Sequence, residues 1–333
     1  MPRLRKVSPQ SKGWTRRRAG KGFVYLDESG ARLSAADTER IRSLAIPPAW
    51  ADVWICPLPQ GHIQALGTDV AGRRQYLYHP DWRLKRDQAK FERITEVAHH
   101  LPVARRQVSR DLETDGMPTA RAAATAVRLL DLGYFRIGGD TYAEDNGSFG
   151  LTTLERHHVR ARSGRLVFDF VGKSGIEHTI EIDDSQAIAA LDAMRKRRTD
   201  SDRLLAHRDG RRWTDLTAAD VNTYLADLLG GDFTAKDFRT WHATVLAASA
   251  LAETDEPGDT KASRQRAIKA AVTEVSGYLG NTPTIAKNSY IDPRVIDQYE
   301  SGSTITVDLK KYRSPERRRA AAEKALLALL ADA

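Results

Sequence analysis

The stretch Gly280-Asn281-Thr282-Pro283-Thr284-Ile285-Ala286-Lys287-Asn288-Ser289-Tyr290-Ile291 closes a long, mostly helical half of the chain. It sets one tyrosine among a serine, two asparagines and a lysine. Two readings are open for Tyr290. It is a core or interface aromatic, or it is a nucleophile that the C-terminal half presents to a phosphate. The second reading needs further parts elsewhere in the chain. Fixed cations must meet the negative charge that grows on the non-bridging oxygens, and an ammonium must hand a proton to the leaving oxygen.

Composition sets the frame. With 333 residues, 41% hydrophobic and 29% charged, the chain is long enough for two domains with a sizeable core. No run approaches the roughly 20 apolar residues of a membrane span, so no membrane partner is expected. The N-terminus lacks an apolar stretch, so no signal peptide is expected either. Cys56 is the only cysteine, which leaves no intrachain disulfide framework and no cysteine-rich zinc site. The expected setting is reducing and cytoplasmic.

The formal net charge is +8, and residues 1–21 account for all of it. Arg3, Arg5, Lys6, Lys12, Arg16, Arg17, Arg18 and Lys21 lie there without a single acid, while the rest of the chain balances 44 bases against 44 acids. This stretch reads as a basic flexible tail, either a footprint for nucleic acid or a solubilising arm.

Beyond it, residues 22–90 read as a small sheet-rich domain. Gly22–Leu26, Val53–Cys56, His62–Gly67 and Gln75–His79 carry strand patterns. Ser34 caps a short helix with Asp37 three residues on. The charged segment Trp82–Arg93 reads as a helical hinge. From residue 91 to 333 helices dominate. Pro118 opens an alanine-rich helix that Gly133 is expected to stop. Val167–Val171 and Ile176–Ile182 form a hairpin across Gly172-Lys173-Ser174-Gly175. Thr217 and Thr234 each start a helix with aspartate three residues on, and Gly280 follows a helix over 264–279.

Each candidate for the chemistry has two readings. Arg136, in Gly133-Tyr134-Phe135-Arg136-Ile137-Gly138-Gly139, lies just past a helix end, as a ligand contact or a structural ion pair. Lys173 is at a hairpin tip, either entering a groove or simply solvated. Lys236 and Arg239 are three apart, so on one helix they share a face. With Phe238 and Trp241 beside them they either clamp a phosphate or form a solvated stripe. The order of the set is more specific than any member: an arginine, a hairpin lysine, Lys-x-x-Arg at a helix start, then Asn281 nine residues before Tyr290.

That order resembles the type IB DNA topoisomerases, specifically the small poxvirus-like bacterial group. Six ordered blocks carry the resemblance. They are 67–69 with 72–78, 134–138, 142–146 with 150–154, 170–173, 236–240 and 281–290. The resemblance implies an α+β chain. A small sheet-rich N-terminal domain and a larger, mainly α-helical catalytic domain with a β-hairpin close as a clamp around duplex DNA.

It also implies that Tyr290 forms a 3′-phosphotyrosyl link, that the cut strand swivels, and that the freed 5′-hydroxyl reverses the attack. No ATP, metal or other cofactor is implied. In family terms Arg136 and Arg239 stabilise the phosphate charge, Lys173 is the general acid, and Lys236 assists. Arg73, Arg74, Gln75, Tyr76 and Tyr78 resemble a DNA-contacting strand, and Tyr142 a phosphate-contacting tyrosine. The chain departs from the pattern at Asn281, where the poxvirus enzymes have histidine. An amide can donate a hydrogen bond but cannot titrate.

The nearest alternative is a site-specific tyrosine recombinase or integrase, which usually has His-x-x-Arg where this chain has Lys236-x-x-Arg239. A non-catalytic DNA-binding clamp is a second. A monomer, associated with the nucleoid, is expected.

Overall fold

The computed structural model describes residues 3–139, 147–256 and 258–331. Tyr142 lies outside the described residues. The chain divides into two compact units, Met1–Phe91 and Glu92–Ala333.

The first unit is built on an antiparallel sheet of β1 (Trp14–Ala19), β2 (Gly22–Leu26), β3 (Ala51–Ile55), β4 (Ile63–Thr68) and β5 (Arg74–Tyr78), ordered β2-β1-β3-β4-β5. Helix α1 (Ala35–Ser43) starts on Ser34, whose hydroxyl accepts the Asp37 amide at 3.1 Å. It brings Ile41 into a core with Ile46, Val53, Ile55 and Ala65.

Residues 14–19 correct the reading of 1–21 as a flexible tail. They form β1, paired with both β2 and β3. Trp14 packs on the core, and Arg16 donates to the carbonyls of Pro47 at 2.6 Å and Trp50 at 2.8 Å. Arg5 pairs by its backbone with Gln60 and His62, both at 2.9 Å. Charge counting missed this because Arg16 spends its charge on backbone acceptors, not on solvent.

Strand β5 alternates as its pattern requires. Arg74, Tyr76 and Tyr78 face outward, and the two tyrosine rings stack with centroids 5.9 Å apart. Gln75 points to the half-buried side, where its amide donates to Asp69 at 2.9 Å. Asp69 also accepts from the amides of Ala71 and Arg73. The Arg73 amide and guanidinium, with Gln75, hold its carboxyl at about 2.

The division between units falls within α2 (Pro80–Leu112). The second unit continues with α3 (Thr119–Gly133), a three-stranded antiparallel sheet of β6 (Val159–Arg162), β7 (Arg165–Val171) and β8 (Glu177–Ile182), and α4 (Ser185–Arg195). A hairpin of β9 (Ala206–Asp209) and β10 (Arg212–Asp215) follows. The remaining helices are α5 (Ala218–Leu229), α6 (Ala235–Ala252), α7 (Lys261–Leu279), α8 (Pro283–Ser289), α9 (Pro293–Glu300) and α10 (Pro315–Ala331). The unit is mainly helical with small antiparallel sheets, and the first is sheet-rich.

Gly133 does not stop α3 as expected. It is the last helical residue, and Tyr134 takes the left-handed turn at φ 55. Gly133 has another reason to lack a side chain: a Cβ there would collide with the ring of Phe135.

A buried ionic network ties four helices together. Asp131 of α3 accepts from Arg105 of α2 through both oxygens at 2.9 Å, and from Arg319 of α10 at 3.1 Å. Glu323 of α10 pairs with Arg105 at 2.7 Å, and His242 of α6 lies 3.1 Å from Asp131. Burial alone would raise the Asp131 carboxyl, but Arg319 and Arg105 hold it well below the usual carboxylate range. Helix α6 is thereby fixed, and α6 carries Arg239.

Candidate active site

The site begins at the C-terminus of α7. A helix end leaves carbonyls without helical partners and carries partial negative charge, so it suits cations. Two arginines take the places. Arg239, from α6, donates to the carbonyls of Leu279 and Tyr134. Arg136, from the loop after α3, donates to the Gly280 carbonyl at 3.0 Å and to the side-chain oxygen of Asn281. Gly280 makes the turn possible with φ +55, and its amide caps the helix on Gly277 at 3.2 Å.

The phenol arrives on the next element. Thr282 caps α8 by accepting the Ile285 amide at 3.3 Å, and Pro283 fits the first turn, where an N–H is not needed. Seven residues later the helix ends at Tyr290, whose amide still reaches the Ala286 carbonyl at 3.0 Å. Thr244 of α6 pins the backbone on both sides of Ile291. Its hydroxyl lies 3.2 Å from the Tyr290 carbonyl oxygen and 3.1 Å from the Asp292 amide. The Arg239 guanidinium carbon stands 5.4 Å from the centre of the Tyr290 ring.

Arg136, Arg239, Asn281 and Tyr290 are therefore brought together, from four segments spread over 155 positions of chain (290 less 136, counted inclusively). Arg239 is 5% exposed. Burial and the charge of Arg136 bring its guanidinium down to about 10, against the opposing influence of Tyr290. It is still a cation at neutral pH. Two buried donors at this place, Arg239 Nε and Asn281 Nδ2, have no acceptor among the described residues. Buried polar groups are nearly always paired, so these two donors, one on Arg239 itself and one on the amide beside Arg136, are left for a partner outside the described residues.

Lys173 lies at the tip between β7 and β8, exposed, in a tight turn where Ser174 and Gly175 both have positive φ. Lys236 and Arg239 share α6 but not an environment. Lys236 is exposed in the first turn, whereas Arg239 is buried with Phe238 and Trp241, which belong to the core. Arg73, Arg74, Gln75, Tyr76 and Tyr78 are in the first unit, on or beside β5. Among the described residues no cluster of three or more His, Cys, Asp or Glu is arranged to hold a metal ion, and no helix is long and apolar enough to cross a membrane.

Sequence reading did not single out Thr244, His178 or the Asp131 network. His178 had a detectable signal: it stands two and four residues before Ile180 and Ile182, a polar residue on the inward side of a strand.

Comparison with known proteins covers both units. Residues 79–314 match the family model described as eukaryotic DNA topoisomerase I, catalytic core. Residues 22–69 match that of the bacterial DNA topoisomerase IB, N-terminal domain. DNA topoisomerase 1B of Acanthamoeba polyphaga mimivirus is 28% identical over 307 residues, 90% of either chain. DNA topoisomerase 1 of Schizosaccharomyces pombe is 27% identical over 167 residues, which is 50% of this chain and 19% of that one. DNA topoisomerase 1B of vaccinia virus is 24% identical over 126 residues, 37% of this chain and 39% of the viral one. These matches do not favour the recombinase reading.

Proposed function

The chain belongs to the type IB DNA topoisomerases, and on that premise we propose how its own residues carry out the reaction on duplex DNA. Tyr290 Oη attacks a backbone phosphorus. The phenol gives up its proton to water, the bond from phosphorus to the 5′ oxygen breaks, and that oxygen takes a proton from Lys173. The products are a 3′-phosphotyrosyl link and a 5′-hydroxyl end. Religation is the reverse: the 5′-hydroxyl attacks, Lys173 recovers its proton, and Tyr290 leaves as the phenol.

Negative charge on the non-bridging oxygens is met by Arg136, Arg239 and the Asn281 amide. Such preorganised donors are worth about 10²–10³ in rate each. Asn281 acts here as a hydrogen-bond donor only, and Lys236 as an exposed cation close to the phosphate. The observation that carries this reading is the pair of orphan buried donors: Arg239 Nε, on the guanidinium that faces the Tyr290 ring, and Asn281 Nδ2, on the amide held by Arg136.

On the DNA outside the scissile phosphate we assign contacts to Arg73, Arg74, Tyr76 and Tyr78, the outward residues of β5 and its turn. One chain acts as a monomer on one duplex, needing neither ATP nor metal. The test is relaxation of a supercoiled plasmid in EDTA without ATP, beside a Tyr290→Phe control. Relaxation by the wild type alone is expected. A plasmid that stays supercoiled with the wild type, or relaxes equally with the variant, overturns the proposal.

A further inference from the structure

Gly280 is touched from two directions that matter. Its carbonyl accepts from Arg136 at 3.0 Å. On its other side lies the imidazole of His178, so close that a Cβ on Gly280 would stand 2.9 Å from Nε2. The same imidazole packs on Gly172, where a Cβ would stand 2.7 Å from Cδ2 and Nε2. Gly172 precedes Lys173 and closes its turn by donating its backbone N–H to the Ile176 carbonyl at 2.7 Å. The ring of His178 lies flat on Phe170, centroids 5.1 Å apart at 18°, and Phe170 in turn stacks on Phe135 beside Arg136. One imidazole thus fills the gap between the Lys173 turn and the helix end that holds Arg136 and Asn281.

We propose that His178 is a positioning residue, a spacer that sets the Lys173 turn at a fixed distance from Gly280 and so aims the ammonium at the leaving 5′ oxygen. The inference rests on the role given to Lys173 above. The two glycines are part of the device, since any side chain at either would displace the ring. Burial, with Arg136 and Arg239 nearby, lowers the imidazole pKa. The ring therefore sits uncharged between the turn and the arginines and adds no third cation to the site.

A spacer role has a signature that general loss of structure lacks. A 5′-bridging sulfur leaves as a thiolate, whose conjugate acid has a pKa of about 8.5 by the cysteine reference, so it departs without a donated proton. The experiment measures single-turnover cleavage of a duplex that the wild type cleaves, with oxygen or sulfur at the 5′ bridge. His178→Ala, Gly172→Ala and Lys173→Ala are compared with the wild type. A misplacement of about 1 Å costs on the order of 10²-fold. His178→Ala and Gly172→Ala are therefore expected to slow the oxygen substrate by about that factor, and the sulfur substrate much less.

Equal slowing on both substrates, or an oxygen rate like the wild type, overturns the spacer role. If His178→Ala does not fold, Gly172→Ala decides alone, because it displaces the same ring from the opposite side. Lys173→Ala separates the two levels. If sulfur fails to restore its cleavage, the general-acid reading falls, and the spacer role with it. If sulfur restores Lys173→Ala but not the other two, only the spacer role falls.

Discussion

Arg136 donates to the side-chain oxygen of Asn281, and that bond fixes which way the amide points. A guanidinium can only donate, so the oxygen must face Arg136 and Nδ2 must face away. Nδ2 is buried there and has no acceptor among the described residues. The amide is thus oriented as a donor before any DNA arrives.

This orientation separates three substitutions. Asn281→Ala removes the donor and should slow cleavage by about 10²–10³-fold. Asn281→Asp keeps an acceptor for Arg136 but sets a carboxylate against the phosphate, and should slow it by more than the alanine change. Asn281→His restores a donor and should retain cleavage. Single-turnover rates on one duplex check all three, and complete loss in the histidine variant would count against the hydrogen-bond role.

Arg239 should not tolerate lysine. Its guanidinium spans two carbonyls, those of Tyr134 and Leu279, while Nε is left over. An ammonium has no planar fork to reproduce this. Arg239→Lys should lose about 10²–10³-fold in cleavage rate while DNA binding, measured by filter retention, changes little.

The Asp131 network should act through stability. Asp131→Asn leaves the half-buried Arg105 and Arg319 against a neutral amide, with Glu323 still paired to Arg105, so the cost should fall at or below that of breaking a fully buried pair, about 3–5 kcal/mol. The sign with pH follows from the depressed carboxyl. Its contribution is full above its unfolded value of about 3.9 and is lost as pH falls through the lower folded value. Urea melts of wild type and Asp131→Asn should therefore differ by a constant amount from pH 7 to about pH 4.5 and converge below that. A gap that closes already between pH 7 and 5 contradicts the assignment.

Arg74 offers a test of the DNA contact on β5. If it neutralises one phosphate, Arg74→Ala should weaken binding across unrelated sequences and reduce the slope of log K against log salt by about 1. An unchanged slope removes Arg74 from the contact.

Much of this was legible in the sequence, and the reasons differ by element. The capped helices were plain because Ser34, Thr217 and Thr234 place aspartate three residues on, a local pattern that the structure repeats in hydrogen bonds. The hairpin holding Lys173 was plain from its two glycines. Strand β1 was not, because a run of arginines looks solvated until Trp14 and the carbonyl partners of Arg16 are seen. The short strands β6, β9 and β10 span only four residues each, too few for alternation to register. Arg136, Lys173, Arg239 and Tyr290 were singled out as candidates by order and resemblance. His178 and Thr244 were not: alternation along β8 could mark His178 as an inward polar residue, but its contact with Gly280 and that of Thr244 with Tyr290 reach across 102 and 46 positions (280 less 178; 290 less 244), and no local pattern encodes those partners.

The central claim is that Tyr290 becomes covalently joined to a 3′ phosphate. The most direct measurement is to quench the enzyme on a nicked or short duplex with denaturant, digest it, and identify the DNA-bearing peptide by mass. Labels are placed separately on the 5′ and 3′ ends of the scissile strand. The account predicts one modified residue, Tyr290, carrying the 5′-labelled fragment, with the 3′-labelled fragment released bearing a 5′-hydroxyl. An adduct on another residue, a link to the 3′-labelled fragment, or no adduct from an enzyme that relaxes plasmid would contradict it.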